Sequence, residues 1–177
     1  MVVIPIDSAK KKLVEVVAVS TEGSEFTDPV AAVSSITDAD AANPYLVLIG
    51  PGIYTLTRTL VMKPFVTIAG SGRDVTTLTG AISTVAYDAS SALVSGADNA
   101  TLRDLTIENT GGGAVSIALY NNGCSPVLQD VTLSASGGSY NYGVYNVSSS
   151  PTMTEVTPLA VGGAYNYGVF NSSPPAE

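Results

Sequence analysis

Residues 122–146 recur as a second, tandem copy at 147–171, and no other feature of the chain restricts its fold so strongly. Pro126 and Pro151, Gly143 and Gly168, and Asn146 and Asn171 are each 25 residues apart, and Asn121 stands 25 before Asn146. A looser copy, Thr101–Ile107, precedes Val127–Leu133 by 26. A period in the twenties, built from short β-branched runs between Gly, Asn and Ser corners, marks a solenoid of stacked coils.

Upstream of the repeat the same texture continues. Leu46–Ile49, Thr55–Met62, Val66–Ile68, Thr76–Thr79, Ala92–Val94, Thr101–Ile107 and Val115–Leu119 read as strands, and Val127–Leu133 and Val144–Tyr145 complete the series. No helix-length periodic segment separates them, so they cannot be parallel strands joined by crossover helices. Parallel strands without crossovers require a chain that winds and stacks on itself. At ~4.8 Å per layer, roughly six coils make a rod about 30 Å long.

The expected organisation is a single domain in three stretches. Residues 1–20 form an N-terminal arm and first strand, with Lys10–Lys12 as a solvated turn and Leu13–Val19 as the strand. Residues 21–44 hold a capping helix: Asp28 is the N-cap, Pro29 the first helical position, and Val30, Val33 and Ile36 one apolar stripe predicting about three turns. Its task is to cover the open end of the first coil. Residues 45–177 are the coils.

Composition matters where it excludes functions. A net charge of −8, with no Lys or Arg after Arg103, repels phosphate backbones and argues against nucleic-acid partners. The absence of His and a single Cys remove the usual ligands of zinc, copper and haem iron, leaving only oxygen-ligated calcium. Cys124 reads as a small, buried apolar residue. No run approaches the ~20 apolar residues of a membrane span, so no membrane insertion is expected. Met1–Ile6 is too short for a secretory signal, and its charges follow rather than precede it.

Glu22-Gly-x-x-Phe-Thr27, Ala31-Ala32 and Leu48-Ile-x-Pro-Gly-Ile-Tyr54 resemble the opening of pectin methylesterase-like proteins, as do Val66–Gly80 and Asn99–Thr110. The resemblance covers residues 20 to about 120. It implies an all-β chain folded as a right-handed parallel β-helix of the pectin-lyase-like superfamily, with about 25 residues per coil and a short N-terminal capping helix. The chain departs from that family where its chemistry sits. Gly113 stands where the family's oxyanion Gln falls in Gly113–Leu119, and the later strings that carry its aspartates and arginine are absent, as is any Trp. The lyases of the superfamily imply an arginine or lysine base, and no basic residue follows Arg103.

Three constellations remain. Asp104, Asp130 and Glu155 align in successive coils, each before an inward apolar residue. Left-handed corner geometry suits Asp; the sharper alternative is a calcium site, or Asp104 and Asp130 as groove carboxylates. Tyr140, Tyr142, Tyr165 and Tyr167 stack by the repeat, either as a stabilising ladder or as a platform that binds sugar rings. Asn121, Asn146 and Asn171 form an amide ladder. The resulting expectation is a non-catalytic structural or interaction module of a cell surface, virion or fibre assembly, located outside the cell and recognising glycan, with no cofactor. The alternative is a carbohydrate-active esterase or lyase. The C-terminal coil has no covering segment, so either a longer parent chain or a partner surface is expected there, with self-association as a dimer or trimer the simplest.

Overall fold

The computed structural model describes residues 15–173. The proposed arm at 1–12, Leu13 and Val14 of the first strand, and the Pro174-Pro175 pair lie outside them.

Among the described residues, thirteen strands and one short α-helix make a parallel solenoid of about five turns. β1 (Glu15–Val19), β2 (Tyr45–Ile49), β5 (Val66–Ala69), β8 (Thr101–Asn109), β10 (Val127–Ala135) and β12 (Thr152–Ala160) stack in a first sheet. β3 (Gly52–Leu56) and β6 (Thr76–Gly80) extend that sheet along the second half of β8. A second sheet stacks β4 (Leu60–Val61), β7 (Ala92–Ser95), β9 (Val115–Asn122), β11 (Tyr140–Val147) and β13 (Tyr165–Ser172). The long strands bend midway. Asp104, Asp130 and Glu155 have φ of 58°, 51° and 54°, and the β8–β10–β12 register steps over all three. These are the left-handed corners, and they fold one sheet into two faces of a three-faced rod.

Alternation decides what lies inside. Leu102, Leu105, Ile107, Leu128, Val131, Leu133, Leu119 and Val144 fill the interior. Stacked, near-identical layers let each coil bury its neighbour's apolar face, so stability is a sum over coil interfaces.

The helix departs from expectation in two ways. It is α1 (Pro29–Ser35), two turns rather than three, because Ile36 is its extended C-cap. It is also an excursion within the first coil, since β1 already pairs with β2 in the register Glu15↔Tyr45. Its start is as read: the Asp28 carboxylate accepts from Val30 N–H at 2.8 Å, and Pro29, Val30, Ala32 and Val33 are buried. The run Thr55–Met62 also divides, ending β3 and beginning β4 around a corner at Thr57–Thr59.

Candidate functional site

The outer face of the second sheet carries an apolar cluster separate from the interior. Ala92, Val115, Ile117, Tyr120 and Tyr142 are its buried members. The excursion between β6 and β7 drapes over part of it: Val115 N–H donates to Thr84 O at 2.9 Å, and the Ser83 hydroxyl donates to Val115 O at 2.7 Å. That excursion sets Tyr87 edge-on to Tyr140 and Tyr142, with centroids 5.6 and 6.1 Å apart.

The repeat produces the rest. Tyr140 stacks on Tyr165 at 4.7 Å and Tyr142 on Tyr167 at 5.2 Å, with planes within 8°. Tyr120, Tyr145 and Phe170 form a third file, tilted by about 35° from ring to ring. The four tyrosines named from sequence therefore come together but are not equivalent. Tyr165 and Tyr167 are 50% and 37% exposed, Tyr140 is half-buried, and Tyr142 is 4% exposed, enclosed by Tyr87, Tyr145, Tyr167 and Phe170. Tyr142 supports the face without presenting one. Sequence reasoning missed Tyr120, Tyr145 and Phe170, although each directly precedes a ladder asparagine at the 25-residue spacing. Tyr87 had no such signal.

Burial raises the pKa of Tyr142 far above its ordinary 10.0, and burial likewise raises Tyr120 and Tyr145. The folded state then holds these protons more tightly than the unfolded chain does. The stability this confers is complete below pH 10 and is lost as pH rises through the folded values. Tyr142→Phe is expected to flatten the alkaline fall in stability and remove a late-ionising phenol from absorbance titration at 295 nm. An unchanged alkaline limb would contradict the placement of Tyr142.

A second feature lies along the corner ladder. Gly70 N–H donates to Arg103 O at 3.0 Å and Gly72 N–H to Asp104 O at 2.8 Å, pinning the loop after β5 against the next coil. Arg73 reaches from this loop across two further coils. It ion-pairs with Asp130, donates to Glu155 O, and lies 3.3 Å from Thr157 Oγ1. Gly72, Arg73, Asp74, Val75, Asp130, Glu155, Val156 and Thr157 line a surface cleft of about 610 Å³. Asp104 lies outside the cleft and pairs with Arg103. A basic group therefore does stand beside the C-terminal carboxylates, supplied by a loop 82 residues earlier than Glu155. The donor set does not fit calcium: Asp104 and Asp130 each face a guanidinium, and no three acidic or Cys side chains converge among the described residues.

No family model matches this chain, and no curated protein does. Solved structures do. It is similar to a pectin methylesterase mutant in complex with a hexasaccharide, at 18% identity and a TM-score of 0.62, over 78% of this chain and 47% of that one. Pectin methylesterase from Erwinia chrysanthemi superposes with a TM-score of 0.54 at 17% identity, over 77% and 48%. The likeness shows the fold alone, a right-handed parallel β-helix. The chain spans about half the length of these structures.

Proposed function

We propose that the chain is a non-catalytic binding module of an extracellular or virion-surface assembly, and that the tyrosine face of its second sheet holds a neutral saccharide. The observation that carries this reading is the partly open group of rings, Tyr87, Tyr140, Tyr145, Tyr165, Tyr167 and Phe170, on one rigid sheet. Tyrosine offers an apolar ring for C–H faces of a sugar and a hydroxyl for its rim. Charge favours a neutral ligand. Each Lys or Arg among the described residues is engaged internally: Arg58 on Asp28, Lys63 on the carbonyls of Ser34 and Ile36, Arg73 on Asp130 and Arg103 on Asp104. None is free to hold a polyanion. The hexasaccharide in one of the similar structures supports saccharide as the ligand class. Calorimetry with cellohexaose and with fully methyl-esterified and free homogalacturonan hexamers tests the proposal. Neutral hexamers should bind, with Tyr165→Ala and Tyr167→Ala each weakening them about tenfold, or about 1.4 kcal/mol. Preference for the free acid, or binding indifferent to both substitutions, would reject it.

A second reading rests on the cleft. There Asp130, Glu155 and Arg73 line one concavity, which an esterase or lyase acting on a polysaccharide requires of its carboxylates and its cationic donor. Asp130 replaces the pair Asp104 and Asp130 as its centre. Release of methanol or unsaturated uronide from pectin, abolished by Asp130→Asn, would favour this reading. No release from pectin would leave the binding module.

A further inference from the structure

The last coil repeats the coil before it and leaves one side of each feature uncovered by the described residues. Asn141 and Val144 are fully buried, whereas Asn166 and Val169, their counterparts in β13, are exposed, Val169 by 36%. β12 and β13, nine and eight residues long, each pair along one edge only. The opposite edges present rows of backbone groups without strand partners.

The buried amides give this end a direction. Asn141 Oδ1 accepts from Gly138 N–H at 2.9 Å, while its Nδ2 donates to Gly138 O, to Val161 O and, at 2.9 Å, to Asn166 Oδ1. Asn166 repeats the first half of that pattern on Gly163, accepting at 3.1 Å and donating at 2.8 Å. The Gly163 backbone thus settles which end of the amide is nitrogen, and one N–H is left in the place that donates onward in the coil before. The parallel file runs the same way: Asn121 Nδ2 donates to Asn146 Oδ1 and Asn146 Nδ2 to Asn171 Oδ1, both at 2.8 Å. The open end therefore presents amide donors in its interior.

A second copy of this chain does not answer them. Its first coil places Met62 where Asn121 stands in the ladder and offers no amide oxygen there, and its C-terminal end would bring donors against donors. We infer that the open end is a docking edge for one further coil of the repeat's own chemistry, laid parallel. That coil carries amide oxygens at both ladder positions and aromatic rings over Tyr165 and Tyr167. The inference does not rest on saccharide binding.

The probe is a labelled peptide of residues 148–172, titrated into the 177-residue protein and followed by anisotropy. Saturable binding is expected, weakened at least tenfold by Asn166→Leu with Asn171→Leu in the peptide, or by Val169→Glu in the protein. Because a free peptide must order itself on binding, a full chain with a third copy of 148–172 inserted after Ser172 decides the matter if the peptide fails. That chain should remain monomeric by light scattering, protect β12 and β13 amides at least tenfold more, and melt about 4 °C or more higher. An inserted copy that exchanges like unfolded chain, with no rise in melting temperature, overturns the inference. So does a dimeric parent protein whose β12 and β13 are already protected, which would place a second copy at this edge.

Discussion

Asn141→Ala is expected to destabilise the protein by about 3–5 kcal/mol, enough to consume much of the stability of an ordinary domain. The side chain is fully buried and joins two coils through four hydrogen bonds. Alanine strands Gly138 N–H without its acceptor and Gly138 O and Val161 O without a donor, while Asn166 Oδ1 keeps only the Gly163 N–H. Each deeply buried unmet group costs about 1–3 kcal/mol, and the partners on the last coil can turn to water, which limits the sum. Asn166→Ala removes the corresponding amide one coil later, where it is exposed, and should cost below about 1 kcal/mol. Urea unfolding of both variants measures the contrast. Equal losses would mean that burial, not residue type, has been misjudged in the penultimate coil.

Gly70→Ala should cost about 3 kcal/mol and detach Arg73 from its cleft. The backbone at Gly70 needs no left-handed φ, so the effect comes from space alone. A Cβ there would lie 2.3 Å from Asp104 O and 2.7 Å from Leu105 Cβ, atoms of the next coil's corner that cannot turn aside. The loop must lift, taking with it the Gly72 hydrogen bond and the Arg73–Asp130 pair. Gly162→Ala is the control. Its φ of 83° strains alanine, but nothing lies within 4 Å of the added carbon, and the cost should be about 1 kcal/mol. If Gly70→Ala is no worse than Gly162→Ala, the close approach of loop and corner is wrong. If it is worse but Arg73→Ala adds its full separate effect, the loop has not moved.

What could be read in advance follows the repeat. Spacing alone aligned Asp104, Asp130 and Glu155, and all three occupy one left-handed corner. It aligned Asn121, Asn146 and Asn171, and their amides bond in file. It paired Tyr140 with Tyr165 and Tyr142 with Tyr167, and the rings stack. A second amide file, Asn141 to Asn166, had the same spacing and went unread.

By itself the sequence determined the coil, its corners and the order in which like residues stack. These depend on contacts between neighbouring layers, and a 25-residue period with in–out alternation specifies them locally. Only the tertiary structure decided that Tyr142 is enclosed while Tyr165 is open, because part of the cover comes from Tyr87 on an excursion outside the period. It alone placed Arg73 over Asp130, since a side chain on a loop can cross layers that the repeat keeps separate. The direction of the amide files was also settled in three dimensions. Spacing says which residues meet; which end of an amide faces onward is fixed by the backbone groups of Gly138 and Gly163 beside it.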